Sequence, residues 1–285
     1  MKIPRSITPK ILNNLDKEDI LLIIGARQVG KTTLIKQLTK ILKERSAQYF
    51  YFTLEDKELL EMLNKHPNNI FQYVPQTTGK TYLLIDEIQY LEDPSNFLKY
   101  IYDQYKDRIK LIVTGSSAFY IDKKFKDSLA GRKKILKLTP FNFSEFLIAK
   151  GETNFAEKIK QPMFMESNSK RKFLLPERKR LEIFWNEYIV YGGYPKIVLE
   201  NDHEEKQDYL KELYQSFLKK DVLDSGVKEE IAFYKLIKIL ASQIGQLVNN
   251  QELARTIGVS GETISKYLYV LQKSFIIQMI TTFSG

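Results

Sequence analysis

Residues 25–33 read GARQVGKTT, and their types and spacing suit the capture of a phosphate chain. Gly25, four residues, Gly30, Lys31 and Thr32 satisfy the pattern G-x-x-x-x-G-K-[ST] in full, with an apolar run before it and a helical run after it. The two glycines let the backbone turn tightly. The N–H groups along Gly25, Ala26, Arg27, Gln28, Val29, Gly30, Lys31, Thr32 and Thr33 can then face phosphate oxygens, helped by the positive end of the helix that starts there. Lys31 is expected against the β and γ phosphates, and the Thr32 hydroxyl on magnesium.

A second constellation lies in LLIDEIQ. Leu83 to Ile85 hold a strand in a sheet and place Asp86 at its carboxyl end, where open α/β sheets bind ligands. Asp86 is expected to hold magnesium, directly or through water, and Glu87 to orient and polarise an attacking water. A third lies in IVTGSS, a strand expected beside that of Asp86 and ending in small hydroxyls. Ser116 is the first candidate to sense the γ phosphate there and Thr114 the second. ATP is expected rather than GTP, because no guanine-reading N-K-x-D follows the loop. A cation must also meet the charge that develops as the γ phosphate leaves; Arg132 in SLAGRKKIL is the first candidate, with Arg27 and Arg108 open.

The elements that must position these residues are visible as periodicities. Ile20 to Ile24 is apolar without alternation, as in a strand buried on both faces, and Leu34, Ile35, Leu38, Ile41 and Leu42 recur at helical spacing after the loop. Residues 47–54, 81–87, 109–117 and 133–140 read as further strands, with helices between them over 56–74 and 96–105. Strands alternating with helices give an α/β fold, a predominantly parallel sheet with helices on both faces, over residues 1–150. An all-helical, lid-like region is expected over 151–230, where Phe184, Tyr188 and Tyr191 keep helical spacing until Gly192, Gly193 and Pro195 stop the helix. Residues 231–285 read as a winged helix-turn-helix: Leu253, Ala254 and Ile257 face inward on one helix, GVS turns, Ile264, Leu268 and Leu271 line the next, and an apolar strand follows.

Composition narrows the chemistry further. The 285 residues contain no Cys and only two His, which argues against thiolate nucleophiles, disulfides and histidine or cysteine metal clusters. Lys and Arg outnumber Asp and Glu by 44 to 35, so a formal charge of +9 favours an anionic partner without naming it. The amino end lacks a signal-peptide core and no apolar run is long enough to span a bilayer, so the expected compartment is the cytoplasm, without membrane insertion.

The order and spacing of IPRSI, GARQVGKTT, LLIDEIQ, VTGSSA, LAGRKKILKLTPFNFSEF, YGGYP and KKDVLD resemble the AAA-type P-loop ATPases of archaea and bacteria, over essentially the whole chain. In that family an ATPase core precedes a helical region, a winged helix and usually a nuclease-like domain of unassigned function. The resemblance implies a Mg-ATP-dependent ATPase with Lys31, Thr32, Asp86, Glu87 and a sensor on the VTGSS strand in the standard roles. It also implies that Gly131 and Arg132 lie near the nucleotide or a neighbouring subunit, and that Gly192, Gly193 and Pro195 begin the helical region, unless that turn is wholly structural. A nuclease-like domain would lie past Gly285, so either a longer parent chain or a shorter relative of the family is expected.

The load of such a machine is open between two expectations. Basic runs at Lys123–Lys137 and Lys170–Arg180, with the helix-turn-helix, suit duplex DNA. Against that, residues 249–274 hold three Lys or Arg against two Glu, and the presumed recognition helix exposes Ser260, Glu262, Thr263, Ser265, Lys266 and Tyr269, few of them phosphate anchors. The alternative is a nucleotide switch on a protein partner, the winged helix serving for packing or docking. A homo-oligomer, with an arginine reaching a neighbour's nucleotide, is a third element left open.

Overall fold

The computed structural model describes residues 3–75, 79–116, 129–160, 173–217, 227 and 229–280. The amino-terminal segment makes one short helix, α1 (Thr8–Leu12), and leads into β1 (Ile20–Ile24) and α2 (Lys31–Glu44). There follow β2 (Gln48–Thr53), α3 (Lys57–Lys65), β3 (Thr81–Asp86), α4 (Pro94–Tyr105), β4 (Ile109–Gly115) and β5 (Lys133–Lys137). The strands form one parallel sheet in the order β2-β3-β4-β1-β5.

Each inner strand is where its composition leads. Every residue of β1, β3 and β4 is buried, as the unbroken apolar runs require of strands covered on both faces. The edge strands differ. All of β2 is half-buried, and β5, KKILK, exposes lysines that discourage further pairing along its open side. Helix starts are set locally: the Asp56 side chain accepts the N–H groups of Glu58 and Leu59, and that of Asp93 accepts Asn96 N–H ahead of a proline in the first turn.

After the sheet come α5 (Phe143–Ala149), α6 (Thr153–Lys160), α7 (Leu175–Tyr191), α8 (Pro195–Leu199) and α9 (His203–Phe217). Asn142 and Glu145 close a capping box at the start of α5, whose Phe146 and Leu147 join Ile3, Phe141, Phe155 and Val198 in one apolar cluster. Phe184 and Tyr188 of α7 pack against that cluster, as their spacing predicts. The turn after α7 is fixed by backbone contact: a Cβ on Gly193 would stand 2.0 Å from the Phe141 carbonyl oxygen, and Phe141 N–H donates to the Gly193 carbonyl at 2.7 Å.

The chain divides into two compact units, the second running from Lys211 onward. In it α10 (Glu230–Ser242), α11 (Asn250–Ile257) and α12 (Gly261–Lys273) enclose a core of Phe233, Leu236, Leu253, Ile264 and Leu271. Gly258, at φ 86°, ends α11 and Ser260 caps α12, so the helix-turn-helix forms as its sequence predicts. The expected wing strand is not seen up to residue 280, and residues 281–285 of that run lie outside the described residues. Among the described residues 274–280 adopt no strand; Ile280 is 89% exposed and no strand of this unit offers an edge to pair with. The basic residues 123–128 and 170–172, and residues 218–224 of the expected helix over 204–224, lie outside the described residues.

Candidate nucleotide site

Parallel strands deliver their carboxyl ends to one edge of the sheet, and β4 lies between β1 and β3. The loop after β1, the Asp86-Glu87 pair after β3 and Ser116 after β4 therefore meet along that edge. The loop is shaped by two demands on its glycines. A Cβ on Gly25 would stand 2.2 Å from the Leu138 carbonyl oxygen, and Gly30 adopts φ 94°, left-handed backbone that glycine enters without a steric cost. Gln28 also sits at φ 63°, so the loop is wound through two left-handed residues before α2 begins.

Lys31, only 4% exposed, donates from Nζ to the Gly25 carbonyl at 3.1 Å and the Ala26 carbonyl at 2.9 Å, which draws its ammonium back over the loop. The Thr32 hydroxyl donates to Asp86 Oδ2 at 2.6 Å. The other Asp86 oxygen accepts from the Thr114 hydroxyl, and Tyr51 donates to Oδ2 at 3.4 Å. Burial pushes the Tyr51 phenol up to about 12, with the Asp86 carboxylate and the bond to it adding to the shift.

Glu87 leaves the strand at φ 60° with its N–H bonded to Thr114 Oγ1 at 3.0 Å, so one hydroxyl holds both acidic residues in place. Gln89 Nε2 donates to Glu87 Oε2 and, at 2.8 Å, to Ser116 Oγ, while Ser116 N–H donates to Gln89 Oε1 at 3.3 Å. Glu87, Ser116 and the loop thus lie along one edge of the sheet. Ala26 and Val29 are buried, Arg27 half-buried, Gln28 and Thr33 exposed.

Arg132 is not brought there. Its carbonyl accepts Ile20 N–H at 2.8 Å, beside the amino end of β1 and so a strand length, roughly 15 Å, from the phosphate loop. Its side chain pairs with Asp103 at 2.7 Å. The reason is topological: a residue that precedes a strand of a parallel sheet lies at the edge opposite the residues that follow one. Arg108, just before β4, stands at the same far edge.

Two contributors to the site escape motif reading. Arg5, from IPRSI, is 6% exposed and donates to the Val29 carbonyl at 2.8 Å and to the Thr139 carbonyl, with Glu145 3.3 Å away. It braces the outside of the phosphate loop against the chain after β5. Burial pulls its guanidinium below the ordinary range, and Glu145 opposes that shift. Tyr209 of α9 donates to Gln28 Oε1 under a Lys196 ammonium 3.7 Å from its ring, so the helical region also reaches the loop. Only the fold brings these residues, more than a hundred positions apart, together.

The donor set fits ATP with magnesium. A buried ammonium, a loop wound through left-handed backbone at Gln28 and Gly30, and a hydroxyl beside a buried carboxylate are an anion cradle next to hard oxygen ligands. Residues 17–147 match the AAA domain family. Residues 183–285 match a family described as a domain of unknown function.

An uncharacterized protein of Methanocaldococcus jannaschii is 27% identical over 99% of this chain and 60% of its own, and one of Haemophilus influenzae is 28% identical over 92% and 62%. The chain thus spans about three fifths of the length of these relatives. Among solved structures, the Aeropyrum pernix ORC2 protein in its ADPNP-ADP complexes superposes with a TM-score of 0.52 at 13% identity, over 95% of this chain and 83% of that one. At that identity the likeness is one of fold: a parallel sheet covered by helices, followed by further helical elements.

Proposed function

We propose that the AAA domain binds ATP with magnesium and hydrolyses it to ADP and phosphate. The observation that carries this reading is the Thr32 hydroxyl 2.6 Å from the Asp86 carboxylate, beside the loop that bears Lys31. Thr32 and Asp86 would hold the magnesium, which supplies charge stabilisation to the phosphate oxygens. Lys31 exchanges the Gly25 and Ala26 carbonyls for β and γ phosphate oxygens, a stronger, charge-assisted pairing. Glu87 accepts the proton of the attacking water, and the Ser116 hydroxyl reports on the γ phosphate. Arg132 serves turnover only across a contact between two copies, since it cannot reach the loop of its own chain.

The test is a pair of variants. Glu87→Gln is expected to lower turnover about 100-fold to 10,000-fold while ATP still binds, and Lys31→Ala to weaken ATP binding itself. Hydrolysis that survives Glu87→Gln unchanged would sink the assignment.

The second unit couples this cycle to a macromolecule, and duplex DNA is the partner its helix-turn-helix favours. The competing reading, a protein-docking module, is favoured by the exposed face of α12, which carries Glu262, Ser265, Lys266 and Tyr269 and so offers one cation to a backbone of phosphates.

A further inference from the structure

We propose that Gln89 is the positioning residue for water attack, its side-chain amide tying the Glu87 carboxylate to Ser116 at the end of β4. The inference rests on the hydrolysis reading above. Glu87 needs a tether. It is the first residue past β3, its backbone turns into the left-handed region, and its carboxylate ends a side chain with three rotatable bonds. A base left to wander among rotamers spends little of its time in line with a bound water.

The short helical turn Ile88–Tyr90 supplies that tether. Ile88 is fully buried and roots the turn, so the side chain of Gln89 is directed by backbone that has little freedom. Its amide group is then used completely. One N–H donates to Glu87 Oε2, Nε2 also donates to Ser116 Oγ at 2.8 Å, and Oε1 accepts the Ser116 N–H at 3.3 Å. No other side-chain type meets all three demands: a carboxylate at 89 would present an acceptor to Glu87 and repel it, a hydroxyl would be too short, and an alkyl chain would release both partners. Holding Oε2 leaves the second carboxylate oxygen of Glu87 to accept the proton of the attacking water. The same amide fixes Ser116, so the base and the hydroxyl that meets the γ phosphate move as one body with the end of β4.

Displacing a catalytic group by about 1 Å costs roughly 100-fold in rate, which sets the expected scale. Gln89→Met keeps length and volume and deletes both donors and the acceptor. It is expected to lower kcat about 10-fold to 100-fold with the affinity for ATP, read by equilibrium binding of a fluorescent ATP analogue, within about threefold of the parent. Ser116→Ala keeps the bond between Gln89 and Glu87 but removes the hydroxyl that meets the γ phosphate; combined with Gln89→Met it should lower kcat by less than the product of the two single losses, because part of each change acts through one linkage.

The parent chain and Glu87→Gln are assayed alongside. A parent that binds ATP and never hydrolyses it overturns the hydrolysis reading and this inference together. A parent that turns over, with Glu87→Gln dead and Gln89→Met as fast as the parent or faster, overturns the inference alone. Loss of ATP affinity and thermal stability together in Gln89→Met would show that the residue is a packing element, and would also overturn it.

Discussion

Asp86 shows how much of the site is decided by single groups. The carboxylate is 2% exposed and surrounded by hydroxyls from Thr32, Thr114 and Tyr51, one from each of three different elements. Such a ring of donors keeps a buried carboxylate solvated until a cation takes its place. Tyr51 gives this arrangement a readable pH signature. Its phenol pKa rises from 10 to about 12 on folding, so the stability it contributes is fully present below pH 10 and is lost as pH rises from 10 through about 12. Because the side chain is only half-buried, solvent screening reduces the effect to on the order of 1 kcal/mol. Urea unfolding at pH 9 and pH 11.5 should therefore show the parent losing more stability over that interval than Tyr51→Phe. Equal losses in the two would remove Tyr51 from the account.

At the scale of elements, the site is held by connections rather than by strands alone. The chain leaving β5 passes within backbone contact of Gly25 through Leu138, then of Gly193 through Phe141, and Arg5 ties Thr139 to Val29. The phosphate loop is thus bounded on one side by the segment that leads into the helical region. Gly193→Ala should be costly, since its Cβ would meet backbone and not a movable side chain. A loss of roughly 2–4 kcal/mol is expected, measured by denaturant unfolding, together with weaker ATP binding as the segment behind the loop shifts. A Gly193→Ala chain as stable as the parent would mean that the segment yields freely. The sequence expectation offered two readings of the GGYP turn, structural or functional. Its backbone contacts support the structural one, although the helix that the turn introduces carries Pro195, whose ring lies near Gly30.

For the whole molecule, two measurements separate the readings of what the cycle drives. Binding of duplex DNA by fluorescence anisotropy at two salt concentrations should weaken as salt rises, and Lys266→Glu with Tyr269→Glu should reduce it at least 10-fold, roughly 1.4 kcal/mol. DNA binding that is absent, or indifferent to those changes in a chain with intact hydrolysis, would favour the protein-docking reading. Arg132→Ala is expected to leave hydrolysis per chain unchanged at concentrations where light scattering shows monomers. If scattering shows assembly with ATP, the same variant should lose turnover in the assembled state. Turnover lost in a monomer would contradict the placement of Arg132 at the far edge of the sheet. Among the described residues no helix is long and apolar enough to cross a membrane.

Much of this was legible in sequence, for a physical reason. The phosphate loop is a run of consecutive residues whose shape depends on its own glycines and on the strand and helix flanking it, so GARQVGKTT declares itself locally, as do the all-apolar strands and the capped helices. Adjacency in sequence also sufficed for Asp86 and Glu87, because the strand they end is unmistakable. The wing was read from an apolar run alone. Residues 275–280 had the composition of a strand but, among the described residues, have no partner edge, which is a property of the surroundings and not of the run.

What the tertiary structure decided were the meetings between distant segments. The strand order β2-β3-β4-β1-β5 is not the order of the chain, and it alone puts the ends of β1, β3 and β4 side by side. It sent Arg132 and Arg108 to the amino edge, away from the phosphate loop, and brought Tyr51 and Tyr209 to the site without any motif to announce them. Sequence determines the chemistry that a short stretch can perform, because the groups are tethered within a few bonds. Which groups attend that chemistry from elsewhere depends on packing and strand direction, and these are settled only when the whole sheet closes.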